Sequence, residues 1–226
     1  QNLRFCTLKD LLIYRLTGQF TIDASNAAAV GMMNAKKIAW DELSLEVAGI
    51  QVSQLPKIQP TTTLLELTHK AKPLSLSNDR TPKIVLGAMD GILACLGVGA
   101  YRKGQVTTSL GSSGACRMAA DAPLIEQNDP RLWSYPLTQN IWIHGGAMNN
   151  GGLVTRWLSE NFSRSRKTSE EAYREMLEAA SKITPGADGL LFLPYLFGER
   201  APIYNEKARG VYFGLHSGHQ REHFAR

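Results

Sequence analysis

The strongest constraint on the fold is the direct passage, within residues 82–104, from an apolar strand-like run into an apolar helix-like run. The first run, PKIVLGAMD, predicts a buried strand, and the second, GILACLGVGAYRKG, predicts a helix that ends near Lys103 and Gly104. The only carboxylate in this passage, Asp90, stands at the junction. Strands that alternate with helices favour an α/β or mixed architecture.

The neighbouring segments continue this alternation. Leucines at helical spacing in LKDLLIYRLTG predict a helix that Gly18 ends in a left-handed conformation, and Thr168 with Glu171 predicts a capping box. Further helices are predicted in WDELSLEVAGI and GGLVTRWLSENF, two strands in GQVTTSLGSSGACRMAAD, and single strands in NIWIHGG and GLLFLPYL. Because the character of the segments changes after Gly104, we predict a domain boundary near that residue.

Composition excludes several classes of protein. A chain of 226 residues with 43% hydrophobic content can bury a substantial core. Its formal charge of +5 is spread along the sequence, which suits small anionic ligands better than nucleic acid. The three cysteines are widely separated and odd in number, so they indicate neither a disulfide framework nor a zinc site.

Targeting signals and chain ends give further expectations. The sequence has neither a signal-peptide pattern nor an apolar run of the roughly 18 to 20 residues that cross a membrane. A cytoplasmic protein without a membrane partner is therefore expected. Because the chain begins at Gln1 and ends in GHQREHFAR, which reads like the first turns of another helix, we also expect an internal fragment.

Two interpretations of Asp90 stay open. Aspartate is a preferred N-cap residue and directly precedes the predicted helix, so a structural role is sufficient to explain it. The glycines at positions 87 and 91, however, leave the carboxylate accessible to a ligand. Open α/β sheets bind their ligands at the carboxyl ends of strands, so Asp90 could cap the helix and do chemistry as well.

Two glycine-rich segments are candidates for phosphate binding. In LGSSGA, residues 110–115, converging N–H groups and two serine hydroxyls could hold a phosphate, although an ordinary hairpin turn explains the same residues. In GGAMNNGGLVTRWL, residues 145–158, glycines and asparagines precede a helix and would allow a nucleotide to approach, although a flexible loop is equally compatible. The P-loop, dinucleotide and nucleophile-elbow motifs do not occur.

The order of these features is more specific than any one of them. An acid after a strand, a Gly-Ser hairpin, GGAMNNGG before a helix with RWL, and then PYLFGERAPIYNEKARGVYFGL together resemble the FGGY family of carbohydrate kinases. The resemblance runs through almost the whole chain, and residues 51–82 are its least distinctive part. Four stretches are most similar to members that phosphorylate gluconate, namely GAMDGILACLGVGA, SLGSSGACR, GGAMNNGGLVTRWL and FLPYLFGERAP.

The resemblance implies an α/β fold of the actin-like (ribonuclease H-like) ATPase type, with parts of two domains. Residues 1–103 would be the latter part of the N-terminal, sugar-binding domain. Residues 104–226 would be the early part of the C-terminal, nucleotide-binding domain. Sugar and ATP would meet in a cleft between these domains.

The resemblance also implies roles for individual residues. Asp90 corresponds to the catalytic base, and residues 198–202 to a structural or cleft-forming loop. Ser112 stands where the GTSGA version of the motif has threonine, and it keeps the hydroxyl. The residues that correspond to nucleotide-binding positions are Gly111 and Ser112 in the hairpin, and Gly151, Gly152 and Arg156 in the later segment.

The implied reaction is phosphorylation of a sugar or sugar acid by ATP with Mg²⁺, above all of D-gluconate to 6-phosphogluconate. The expected partners are the small-molecule sugar acid and ATP, and a homodimer is compatible with the sequence. We expect the 226 residues alone to bind ATP weakly and to phosphorylate little sugar. Two alternatives stay open: a kinase for xylulose, ribulose or glycerol, and an actin-like sensor without catalysis.

Overall fold

A computed structural model describes residues 3–68, 82–125, 131–162 and 169–226, and they form a mixed α/β structure. The chain divides into two compact units whose segments interleave along the sequence. The first unit contains Gln1–Thr107 and Arg117–Gly145, and the second contains Thr108–Cys116 and Gly146–Arg226. In the described ranges, no helix is long and apolar enough to cross a membrane.

Short helices and paired strands build the N-terminal part of the first unit. The strand pair β1 and β4 is parallel, with Ile22 opposite Ile58, whereas β2 with β3 and β5 with β6 are antiparallel pairs. The helices are α1 (Leu8–Thr17), α2 (Ala24–Val30), α3 (Glu42–Ala48) and α4 (Asp90–Gly97). The strands are β1 (Thr21–Asp23), β2 (Met33–Asn34), β3 (Ala39–Trp40), β4 (Lys57–Gln59), β5 (Leu64–Leu65) and β6 (Ile84–Val85).

A four-stranded sheet follows, and its residues are divided between the two units. The strands are β7 (Val106–Leu110), β8 (Gly114–Ala120), β9 (Trp133–Thr138) and β10 (Ile141–Met148). Their order in the sheet is β7-β8-β10-β9, and β9 pairs with β10 in antiparallel register.

The second unit is completed by the C-terminal elements. These are α5 (Gly152–Phe162), α6 (Ser169–Ser181), β11 (Leu191–Leu193), β12 (Val211–Phe213) and α7 (Arg221–Ala225). The antiparallel pair β11 and β12 stacks the ring of Phe192 on that of Tyr212, with centroids 4.1 Å apart. Phe224 of α7 lies edge-on to Tyr212, so α7 packs against this pair through aromatic contacts.

The main core of the first unit lies between α4 and the sheet. Ile92 and Cys95 of α4 are buried against side chains from the strands. Burying an aliphatic side chain of this size stabilises a fold by about 1.5–3 kcal/mol. The sheet contributes the buried residues Ala119, Leu137 and Ile143 to this core. The packing of α4 on the sheet therefore fixes the helix that begins with Asp90.

Most of the elements predicted from the sequence are present. The α1 helix begins after Thr7, which forms a capping box with Asp10, and ends at Gly18, whose φ of 73° is left-handed as predicted. The helices predicted in WDELSLEVAGI and GGLVTRWLSENF are also confirmed, as are the two strands around the Gly-Ser turn and those in NIWIHGG and GLLFLPYL. The predicted capping box at Thr168 lies outside the described residues.

Two predictions around Asp90 are wrong. The expected buried strand PKIVLGAMD is reduced to Ile84–Val85, because Gly87 turns the chain with a φ of 69°. The expected long helix ends at Gly97, since the glycine-rich stretch after it includes Gly99 in a left-handed conformation. Glycine interrupts regular structure at both places because it adopts such conformations without steric cost.

Burial of the Asp10 carboxyl group in α1 changes its pKa. Asp10 is fully buried, and its Oδ2 accepts a hydrogen bond from the N–H of Thr7 at 2.8 Å. Its Oδ1 has no hydrogen-bond partner in the described part of the chain. Burial raises the pKa of the Asp10 carboxyl above its ordinary value, and this effect outweighs the hydrogen bonds from Thr7, which lower it.

We expect Asp10→Asn to stabilise the protein increasingly as pH rises. The folded state binds the Asp10 proton more tightly than the unfolded state, so wild-type stability falls as pH rises from the ordinary value of 3.8 through the raised pKa. Asparagine removes this loss and keeps an oxygen for the N–H of Thr7. Melting temperatures of the variant and wild type between pH 4 and 7 measure the difference.

Asp41→Asn is the matched control, with the opposite sign. Hydrogen bonds from the backbone and side chain of Ser44 lower the pKa of Asp41, so wild-type stability is gained above the lowered pKa and lost as pH falls through it. A difference between Asp10→Asn and wild type that does not change with pH would contradict the assignment.

Candidate functional site

Asp90 is an exposed carboxylate at the first residue of α4. The N-cap residue is Met89, and the helix start has no side-chain cap. Asp90 Oδ1 instead accepts the N–H of Gly91 at 2.6 Å. The prediction that Asp90 caps the helix is therefore wrong, because Asp90 itself already lies in the helix and, within the described part of the chain, its carboxylate accepts a bond only from the following residue. Its remaining acceptor capacity faces solvent.

Hydrogen bonds from three backbone N–H groups hold the chain segment that leads to Asp90. The N–H of Leu86 donates to Thr63 O, and that of Gly87 donates to Thr61 O, at 2.9 and 2.8 Å. The N–H of Met89 donates to the Oγ of Ser25, which is fully buried in α2. These bonds fix the backbone on the N-terminal side of Asp90, although the carboxylate itself is exposed.

The Gly-Ser hairpin of the second unit is joined by main-chain bonds to the start of α5. The N–H of Gly152 donates to Gly111 O at 2.7 Å, and that of Leu153 donates to Ser112 O at 3.1 Å. The side chains of Ser112 and Ser113 are exposed. The first N–H groups of α5 are thus bonded to the hairpin, and the hairpin presents its serine hydroxyls to solvent.

Glycine is required at positions 151 and 152 because the two backbones are in close contact. A Cβ atom on Gly151 would lie 2.6 Å from the carbonyl carbon of Ser113 and 2.7 Å from its oxygen. A Cβ atom on Gly152 would lie 2.8 Å from Gly111 O. The structure therefore brings four of the predicted residues together, namely Gly111, Ser112, Gly151 and Gly152.

Arg156, the fifth predicted nucleotide residue, lies one turn further along α5. Its Nε donates to Glu160 Oε1 at 2.9 Å, and both side chains are largely exposed. This is a surface ion pair at helical spacing, which contributes little to stability. Arg156 therefore remains accessible to an anionic ligand on the surface of α5.

Sequence reasoning did not identify Glu199 as an individual residue. Its side chain is buried, and its carboxylate accepts from the N–H of Asn149 at 2.6 Å, the Nδ2 of Asn150 at 2.9 Å and the N–H of Arg200 at 2.8 Å. Arg200 Nε donates to Asn149 Oδ1 at 2.7 Å. The loop 198–202 thus fixes the residues that precede Gly151. The sequence GER in a polar loop was the signal that could have identified Glu199, but a sequence does not show that the glutamate side chain is buried.

Metal binding has no side-chain cluster to support it in the described ranges. No group of three or more His, Cys, Asp or Glu side chains there is arranged to hold a metal ion. His144 on β10 is buried, and burial lowers the pKa of its imidazole below the ordinary value. This lowered pKa favours the neutral imidazole in the packed sheet.

The fold and the sequence together define the class of protein. The structure matches that of a gluconate kinase from Lactobacillus acidophilus with a TM-score of 0.88 and 35% identity, over 99% of this chain and 44% of that protein. A xylulose kinase from the same organism matches with a TM-score of 0.85 and 36% identity, over 96% of this chain and 43% of the other. The fold is thus the actin-like ATPase fold of carbohydrate kinases.

Both halves of the chain match domains of one protein family. The N-terminal domain of the FGGY family of carbohydrate kinases matches residues 2–97, and its C-terminal domain matches residues 106–226. The chain belongs to this family. It is 39% identical over 228 residues to the gluconokinase of Bacillus licheniformis, covering 99% of this chain and 44% of that protein. The chain thus spans less than half the length of the relatives it matches.

We expect Gly151→Ala to destabilise the second unit. The added methyl group would overlap the Ser113 carbonyl, and forcing atoms into a packed region typically costs about 1–3 kcal/mol. Thermal unfolding of the variant and wild type measures the loss. Gly97→Ala is the control, because a Cβ atom on Gly97 meets nothing within 4 Å. Equal melting temperatures for Gly151→Ala and wild type would contradict the close contact.

Proposed function

We propose that the full-length protein transfers the γ-phosphoryl group of ATP to a hydroxyl of a sugar acid, converting D-gluconate to 6-phosphogluconate. Family membership and the similarity to gluconokinases support a sugar kinase. The observation that carries the proposal is the exposed Asp90 carboxylate at the start of α4, on a backbone that hydrogen bonds hold immediately before it. Residues 1–103 would belong to the sugar-binding domain and residues 104–226 to the nucleotide-binding domain.

In the proposed mechanism Asp90 is the general base. A sugar hydroxyl is a poor nucleophile, and a carboxylate within hydrogen-bond reach can orient it and take its proton as the oxygen bonds to phosphorus. Asp90 suits this role because, among the residues that the structure describes, its carboxylate accepts a hydrogen bond only from the N–H of the next residue, which leaves acceptor positions for a hydroxyl. The proton then resides on the Asp90 carboxyl until it is released to solvent.

The hairpin and the residues around it are proposed to bind the phosphates of ATP. Phosphate oxygens accept hydrogen bonds from hydroxyl and N–H donors, and Ser112 offers an exposed hydroxyl at the hairpin. Gly111, Gly151 and Gly152 shape this surface through their main-chain contacts. Arg156 would add a positive charge near the nucleotide, since its guanidinium is exposed.

Magnesium is expected to reach the protein with ATP. Mg²⁺ in kinase sites is bound largely by substrate phosphates and water, with one or two carboxylates. The described residues contain no cluster that would hold the ion by itself. We therefore assign no residue of this chain to the metal.

A kinase for a neutral polyol is the second candidate. The similarity to the xylulose kinase structure supports it, because the same residues would deprotonate the hydroxyl of a ketose. A sensor without catalysis is a weaker alternative, since a sensor does not need a base at Asp90. Offering gluconate, xylulose, ribulose and glycerol separately, and measuring ADP release, distinguishes these functions.

Asp90→Asn in the full-length protein is expected to reduce kcat by about 10²–10⁴-fold, the usual contribution of a general base. The affinity for ATP should change little, because asparagine has nearly the same shape as aspartate and lacks only the ability to accept the proton. ADP release with gluconate gives kcat, and calorimetric titration gives the Kd for ATP.

Asp121→Asn is the control for this experiment. Asp121 is another exposed carboxylate of the first unit, and in the described ranges its ion pair is with the surface residue Lys103, at 2.6 Å. This variant should keep wild-type kinetics. Wild-type turnover by Asp90→Asn would exclude Asp90 as the base.

A further inference from the structure

The guanidinium of Arg117 lies directly against the residue that follows Asp90. Arg117 belongs to β8, and Gly91 is the second residue of α4. A Cβ atom on Gly91 would be 2.8 Å from Nη2, 3.1 Å from Nε and 3.2 Å from Cζ of Arg117. The guanidinium thus occupies the space in which any other residue at position 91 would place its side chain.

Aromatic rings from β9 hold the guanidinium from another direction. The Arg117 Cζ lies 6.0 Å from the centroid of the Trp133 ring. Trp133 is stacked on Tyr135, with the centroids 4.7 Å apart and the planes inclined by 8°. A cation over the face of tryptophan is attracted by the ring, so these contacts favour one position of the half-buried Arg117 side chain.

A fixed cation is therefore placed next to the proposed base. Arginine is charged at every physiological pH, and adjacent Cα atoms are about 3.8 Å apart, so the guanidinium contacts the immediate neighbour of Asp90. The N-terminus of α4 adds a partial positive charge at the same place. An acceptor substrate that gives a hydroxyl to Asp90 would gain further attraction here if it also carried a negative charge.

We propose that Arg117 binds the carboxylate of the acceptor substrate and thereby selects aldonic acids over neutral polyols. The proposal rests on the proposed function, because it concerns the same acceptor site. A planar guanidinium has five N–H donors in a fork that fits the two oxygens of a carboxylate. A neutral polyol offers a hydroxyl to Asp90 but has no charge for Arg117, so the residue discriminates between these classes.

The test compares two six-carbon acceptors that differ at one end. D-Gluconate carries a carboxylate where D-glucitol carries a hydroxymethyl group. In the full-length protein, Arg117→Gln should raise the KM and Kd for gluconate by roughly 10- to 100-fold, the range expected for hydrogen bonds to a charged group. The Kd for glucitol and the KM for ATP should remain unchanged.

Further variants separate charge, geometry and folding. Arg117→Lys keeps the charge without the planar fork and should give an intermediate loss. Gly91→Ala should weaken gluconate binding in the same direction, because its methyl group displaces the guanidinium while the arginine remains. Arg102→Gln, which removes an exposed arginine of the same unit, should behave as wild type. Thermal unfolding of each variant shows that it is folded.

Two patterns of binding in the Arg117 variants would overturn the proposal. An equal loss of gluconate and glucitol binding would mean that Arg117 only supports the fold of the site. A raised KM for ATP with unchanged gluconate binding would mean that the guanidinium binds phosphate.

Failure of the inference is distinguishable from failure of the proposed function. If wild type phosphorylates gluconate and Arg117→Gln keeps the same preference over glucitol, the inference is wrong and the function stands. If wild type binds gluconate through Arg117 but transfers no phosphoryl group, the inference stands and the kinase function is wrong. If wild type does not bind gluconate, both are wrong.

Discussion

The main-chain contact between the Gly-Ser hairpin and the start of α5 is the constraint on which the second unit depends. Two hydrogen bonds join Gly152 and Leu153 to the carbonyls of Gly111 and Ser112. A Cβ atom at position 151 would overlap the carbonyl of Ser113, and one at position 152 would overlap that of Gly111. Side chains cannot replace this contact, because the backbones themselves touch. The hairpin and the first turn of α5 therefore form one surface, although two strands of the sheet lie between them in sequence after β8.

Glu199 extends this constraint to the loop that precedes α5. Its buried carboxylate accepts three hydrogen bonds, from Asn149, Asn150 and Arg200. A buried charge is stabilised only when its acceptor positions are filled, so these donors and the carboxylate depend on one another. The two half-buried asparagines before Gly151 are thus part of a hydrogen-bonded structure centred on this carboxylate.

The sequence predicted regular elements better than it predicted their lengths. Leucine spacing and Gly18 were sufficient for α1, because a helix of ten residues with a cap at each end is determined locally. The strand before Asp90 was overestimated, since an apolar run carries no information about the bonds from Leu86 and Gly87 to residues 61–63. The strand β9 was not predicted at all, because its Pro136 and polar residues break the expected pattern.

In the candidate site, too, the sequence identified residues in short motifs but not residues whose role depends on contacts with distant parts of the chain. Asp90 and the glycines were identified from short motifs, whereas Glu199 and Arg117 act through contacts with residues far away in sequence. Gly91 illustrates the reason. Because Gly91 has no side chain, its position next to Asp90 suggests that the carboxylate is openly accessible. In the structure, however, the guanidinium of Arg117 from β8 occupies the space that a side chain at position 91 would fill. A glycine in a sequence indicates that another group can approach the backbone closely. Only the fold shows whether that group is solvent, another backbone segment or a charged side chain.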